Sequence, residues 1–219
     1  MDRTSFRCAV VAVVFISALA LISSSGCRSA LATAIYLIRG NEVEAEYKGL
    51  KDKKVAVVCR PLVGLQYVNP NAGRDLAQQI TKLLQERVTK ISVVNAQKVA
   101  NWCDENTWDE YAEVGKALGA DMVVGVELEK FSIYQGQTLY QGKANATVRV
   151  YDCKDGGKLV FEKILPQAVY PPNTFIQTSE VQEPEFRREF IGVLADQIAR
   201  HFYAHDLHAD LAQDATALR

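Results

Sequence analysis

The chain has 219 residues, 48% of them hydrophobic, and its Lys and Arg total 25 against 26 Asp and Glu. That balance leaves no basic excess to neutralise phosphates, which argues against nucleic-acid binding as the main function. Its cysteines form no C-x-x-C pair and no zinc-ligand spacing, so they define neither a disulfide framework nor a structural zinc site.

The leader comes first. Arg3 and Arg7 precede an apolar run from Cys8 to Ile22, and the small residues Ser23 to Gly26 lead into Cys27. A positive end, an apolar middle and a small-residue processing site are the layout of an export signal. Three readings stand. In one, residues 1–26 are a signal peptide and Cys27 becomes the lipid-modified N-terminus of a bacterial lipoprotein, although Ser24 occupies the position where leucine is usual. In another, cleavage follows a small-x-small site such as Ala32, Thr33 and Ala34 and frees a soluble protein. In the third the run stays uncut as an anchor, although it is shorter than the ~20 apolar residues a span needs. All three place the body across the bilayer, because Arg3 and Arg7 hold the N-terminus inside.

Residues 27–53 read as a membrane-proximal tether. They carry a short helical pattern (Leu31, Ile35, Ile38) followed by a charged stretch. The rest fits one domain over 54–203, with a polar tail over 204–219. Lys54 to Cys59 is a compact β-branched run with Pro61 behind it, the pattern of a buried strand. The spacing of Leu76, Ile80, Leu83, Leu84 and Val88 predicts a long helix, with Asn69 as its cap and Pro70 in the first helical position. Ile91 to Val94 is a second short strand. A second helix is expected from Thr107, with Thr107 and Glu110 as a capping box. Trp108, Tyr111, Ala112, Gly115 and Leu118 form its apolar face, and Gly119 stops it.

A strand from Asp121 to Glu129 follows at once. Gly136 and Gln137 mark a turn, after which Thr138 to Asp152 alternates as a long strand. Ala144, Ala146, Val148 and Val150 occupy one face, and Asn145, Thr147, Arg149 and Tyr151 the other. Asp155, Gly156 and Gly157 turn the chain back into Leu159 to Leu165. The stretch holding Pro166, Pro171 and Pro172 reads as ordered loop or mobile flap. Pro184 then starts a third helix with Phe186, Phe190, Leu194, Ile198 and Phe202 in register. The fold class is α+β: a mixed sheet in the order β-α-β-α-β-β-β-α, with helices packed on it.

Within this pattern, Tyr111 to Val126 holds a helix ending in Leu118, Gly119, Ala120 and Asp121, followed by an apolar strand. The unit resembles one found in a group of exported bacterial lipoproteins and related domains: the curli-secretion protein CsgG, the penicillin-binding-protein activator LpoB, and the N-terminal domain of TolB. The resemblance covers most of the chain after the leader. It implies an extracytoplasmic address and a role as adaptor, assembly subunit or activator, and it supplies no catalytic residue.

Among candidate sites, His201, His205 and His208 are the only histidines, and their spacing would stack them on one helical face able to ligate a metal. The competing explanation is a helix end unravelling into a tail. Trp102, Trp108 and Tyr111 sit among Asp104, Glu105, Asp109 and Glu110. Trp108 and Tyr111 are expected in the core, and Trp102 is the candidate for partner docking. No Gly-x-Ser-x-Gly elbow and no His-Glu-x-x-His occurs, so no enzyme and no cofactor is expected. The expected function is that of a membrane-anchored, non-catalytic adaptor or assembly subunit on the periplasmic side of the cell envelope. It would be held by lipid on Cys27 and bind an envelope protein or copies of itself, with no nucleic acid. The alternative is a soluble periplasmic protein that binds a small ligand or metal.

Overall fold

The computed structural model describes residues 42–62, 64–65 and 69–206. By its contacts the chain divides into two units. One runs from Val43 to His205 together with 209–219. Of the other, only Glu42 and Asp206 are described. The elements are β1 (Glu42–Val43), β2 (Lys54–Pro61), α1 (Ala72–Arg87), β3 (Ser92–Val93), α2 (Ala96–Glu105), α3 (Tyr111–Ala117), β4 (Met122–Tyr134), β5 (Leu139–Asp152), β6 (Lys158–Ile164), β7 (Ala168–Tyr170), β8 (Ile176–Gln177), α4 (Glu183–Ala199) and β9 (His205–Asp206).

β2 reads as unbroken apolar sequence because both its faces are buried. Val55 and Val57 enter one core, beneath Leu76, Ile80 and Leu84 of α1 and Phe186 and Phe190 of α4. Ala56 and Val58 enter a second core with Val99 of α2 and Tyr111 and Val114 of α3. The main sheet has the order β3-β2-β4-β5-β6, with β7 and β8 also paired to β5. β2 is parallel to β3 and β4, whereas β4 and β5, and β5 and β6, are antiparallel. The predicted α+β mixed sheet is therefore present.

The structure corrects several local expectations. The first helix begins at Ala72, and its flanking residue is Asn71, whose side chain makes no capping bond. Asn69 is buried instead. Its Oδ1 accepts from Nη1 of Arg187 at 3.0 Å, and its Nδ2 donates to the carbonyl of Phe131. The Thr107–Glu110 capping box does not form, because α3 starts at Tyr111 and the Glu110 side chain caps nothing. The bond made there is from the Asp109 N–H to Glu113 Oε2, at 3.2 Å. Sequence reading missed α2, which is capped by Asn95 through its side chain on the Lys98 N–H at 3.1 Å. Val99 is its only fully buried residue, and Trp102 and Cys103 continue its inner face half-buried against the second core. The proline-rich stretch is partly strand, with β7 and β8 returning along β5.

Within residues 43–53, Leu50 and Tyr47 pack on the body while most of the other side chains are exposed or half-buried. Leu50 is completely buried in the main core, and the ring of Tyr47 lies 5.3 Å from that of Phe161. The motif Leu118 to Asp121 has a structural explanation. Gly119 takes φ +63°, where a side chain would be strained. The N–H of Ala120 reaches the Gly115 carbonyl and that of Gly119 reaches Lys116, the paired bonds that close a helix C-terminus. Asp121 then accepts from the Lys54 N–H at 2.8 Å and pairs with Lys154 Nζ at 2.7 Å, tying the start of β4 to β2 and to the β5–β6 turn.

Candidate functional site: a cleft at the strand ends

The topology opens a cleft. From β2 the chain leaves into α1 on one face of the sheet, and from the neighbouring β3 it leaves into α2 on the other. Where adjacent parallel strands send their connections to opposite faces, a crevice opens beyond their carboxyl ends, and ligands of open α/β sheets bind there. β3 pairs only with Lys54 and Val55, so β2 from Val57 onward has no strand on that side among the described residues. A cavity of about 660 Å³ fills the space, within the usual ~300–1,000 Å³ of ligand sites.

Its floor is β2, and its helical walls are lined by small residues, among them Gly73 and Ala77 of α1 and Ala96 and Ala100 of α2. Gly73 is closely packed: an added Cβ would lie 3.0 Å from Pro61 Cδ and 3.4 Å from the Cys59 carbonyl, so those neighbours would have to give way slightly. At the rim, Arg74 and Asp104 join α1 to α2 by an ion pair of 2.7 Å. At the other end Arg60 stacks on the Trp108 ring, 3.9 Å from its centroid, and donates to the carbonyls of Trp108 and Asp109. Behind this stack, Tyr111 packs on Gly125 and on Tyr151. Its hydroxyl is buried with no hydrogen-bond partner among the described residues.

Two thiols face the cleft. Burial pushes Cys59 up to about 12, and burial with the nearby Asp104 carboxylate pushes Cys103 up to about 11. Both are protonated at neutral pH, and a protonated thiol is a poor nucleophile. Small and apolar side chains, protonated thiols and a few charged groups at the rim, of which Arg74 and Asp104 are paired, suit binding rather than nucleophilic chemistry.

Of the residues singled out from sequence, Trp108, Asp104 and Asp109 line this cleft. Trp102 lies on α2, half-buried against the second core. Tyr111 is core, as expected, whereas Trp108 is half-buried at the cleft rim. α4 ends at Ala199, so His201 falls in a single turn of tighter helix and His205 in β9, not on one helical face. His201 Nδ1 meets Glu46 Oε1 at 3.1 Å, and His205 Nδ1 lies 3.3 Å from the Tyr203 carbonyl. Cys27 and His208 lie outside the described residues. Among the described residues no group of three or more His, Cys, Asp or Glu could hold a metal, and no helix is long and apolar enough to cross a membrane.

No family model matches the chain. Nor does any curated protein. Solved structures with a similar fold include the PelC dodecamer from Paraburkholderia phytofirmans, at 13% identity and a TM-score of 0.41, covering 71% of this chain and 94% of that one. Lipoprotein GNA1162 from Neisseria meningitidis also has 13% identity and a TM-score of 0.41, covering 67% and 97%. A minor lipoprotein from Acinetobacter baumannii has 17% identity and a TM-score of 0.31, covering 68% and 90%. Two of these neighbours are named as bacterial lipoproteins. At such identities and scores nothing about this chain's role follows from them.

Proposed function

We propose that this chain is a membrane-anchored extracytoplasmic lipoprotein that acts as a non-catalytic adaptor or assembly subunit of the bacterial cell envelope. The observation that carries the reading is Cys27, set directly after small residues at the end of an apolar run behind Arg3 and Arg7. The resemblance of Tyr111 to Val126 to the CsgG, LpoB and TolB group supports the same address. A binding role agrees with the cleft, where Arg74 and Asp104 pair with one another and both thiols are protonated. A lipid anchor would confine the search for a partner to two dimensions, and several acyl chains hold firmly where one does not. Mass spectrometry of the mature N-terminus tests this. A diacylglyceryl group on Cys27, with the protein in the membrane fraction, is the expected result. A mature start near Ile35 with the protein free in the soluble fraction overturns it.

The second reading, a soluble periplasmic protein for a small ligand, is favoured by one observation, the cavity of about 660 Å³. It predicts the free mature start and retention of a small molecule through gentle purification.

A further inference from the structure

The strand registers bring several loops to one end of the main sheet, the end away from the cleft. Lys54 opposes Ser92, Val55 opposes Met122, Met122 opposes Asp152, and Asp152 opposes Lys158. The turn before β2, the loop after α1, the α3–β4 connection and the β5–β6 turn therefore lie side by side. Exposed on them, or in the last turn of α3, are Lys51, Lys54, Lys90, Lys116, Lys154 and Lys158. Several acids share this end and are engaged there. Asp121 pairs with Lys154 at 2.7 Å, Asp155 lies 3.9 Å from Lys158, and Asp152 accepts from the N–H groups of Lys154 and Asp155. Lys54 and Lys116 donate to the neutral carbonyls of Leu118 and Gly156, which leaves their charge uncompensated. Asp52 and Glu86 are the exposed acids that stand against Lys51, Arg87 and Lys90, so the balance stays positive. Around the cleft mouth the sign reverses. Glu105, Asp109 and Glu110 are exposed on the α2–α3 connection, Asp104 takes Arg74, and Arg60 on the Trp108 ring offsets one of them. A chain of nearly zero net charge is thus polarised along its sheet.

We propose that the basic end docks on anionic phospholipid headgroups and turns the cleft away from the bilayer. The inference rests on the anchored-lipoprotein reading, which keeps the body beside that surface. At roughly 3.3 Å per residue, the link from residue 28 to residue 42 can span at most about 50 Å. A link of that reach lets either end of the sheet face the lipid, so charge decides the orientation. The chain that follows it meets the body beside the basic end. The Tyr47 ring lies 5.3 Å from that of Phe161, just after Lys158 on β6, and the Tyr47 N–H donates to the His201 carbonyl at 3.0 Å. Each lysine close to an anionic surface strengthens binding about fivefold, over a range of ~8–10 Å. The same surface repels the acidic cleft mouth.

Co-sedimentation of the full chain from residue 27, carrying Cys27→Ser and so no acyl group, tests the docking. The vesicles are phosphatidylcholine with and without an equal share of phosphatidylglycerol. Binding is expected only where phosphatidylglycerol is present, and it should weaken as salt rises. Lys51→Glu with Lys90→Glu should weaken it by about tenfold or more. Lys130→Glu with Arg188→Glu makes the same charge change towards the other end of the sheet, and it should leave binding within about twofold. If the first pair lowers the melting temperature, Lys51→Gln alone decides, with a loss of about fivefold. In the acylated protein, Trp102 and Trp108 are the only tryptophans and stand towards the cleft end, so spin-labelled headgroups should leave their emission unquenched. Four results overturn the proposal: no preference for phosphatidylglycerol, equal losses from the two double reversals, quenched tryptophans, or retention on soluble heparin without vesicle binding. The last would assign the lysines to a soluble polyanion. Vesicle binding is read without an acyl chain, so it can fail while a diacylglyceryl group on Cys27 stands.

Discussion

Arg187 on α4 and Asn69 ahead of α1 stand 118 positions apart in the chain and meet through a hydrogen bond of 3.0 Å from Nη1 to Oδ1. The same guanidinium donates to Glu183 at 2.6 Å, and Glu183 in turn accepts from the Tyr134 hydroxyl at 2.7 Å. One chain of polar contacts thus binds the last helix to the β4 end and to the approach of the first helix. Replacing Asn69 with alanine leaves the Phe131 carbonyl and one arginine nitrogen short of a partner. A loss of about 1–3 kcal/mol is expected. Urea denaturation with an unchanged slope would confirm it, and a variant as stable as the parent would show that the contact contributes nothing.

Leu50 separates a packed segment from a tether. Its side chain is completely buried in the main core, among residues that include Val55 and Ile198. Truncation to alanine in a true tether would cost nothing. Here Leu50→Ala should cost about 2–5 kcal/mol, read as a drop in the denaturation midpoint.

Asp121 gives the fold an acid limit. Its carboxyl is held below the ordinary range, first by its bond to Lys154 and then by the Lys54 N–H. A carboxylate whose pKa is lower in the folded than in the unfolded state adds stability above the unfolded value, about 3.9, and loses it as pH falls through the folded value. Asp121→Asn should therefore flatten the fall in melting temperature between about pH 4 and pH 2. An unaltered pH profile in the variant would remove Asp121 from the account.

His201 acts in a higher window. Burial disfavours its protonated form, and the opposing pull of Glu46 does not overcome that, so its pKa lies below the ordinary value. The unfolded chain then binds the proton more readily than the folded one. Stability should rise with pH up to about 6.5 and be lost as pH falls below it. His201→Gln should make stability less dependent on pH between about 5 and 7, measured by thermal denaturation across that range.

Much of the architecture was readable because burial leaves a periodic mark. β2 showed as an unbroken β-branched run, and α4 as Phe186, Phe190, Leu194 and Ile198 at helical spacing, all buried as the pattern required. The glycines of the β5–β6 turn, Gly156 and Gly157, take the positive φ that their placement in sequence suggested. α2 was missed although Val99, Trp102 and Cys103 stand at helical spacing on its inner face, because only Val99 is fully buried and the other two are half-buried. Asn69 was misassigned for a different reason. Asn-Pro-Asn is a sound local start signal, but the partner that draws its side chain inward is Arg187, far along the chain. The histidines failed similarly, because a spacing that stacks side chains requires the helix to continue, and α4 had already ended at Ala199.

Local chemistry alone indicated most of the long strands and helices and where Gly119 stops α3. These depend on neighbours a few residues away. The cleft depended on the third dimension. An empty space between Gly73, Ala77, Ala96 and Ala100 has no period or motif of its own. It exists because successive crossovers from β2 and β3 pass to opposite faces of one sheet, and only the packed chain makes that choice visible.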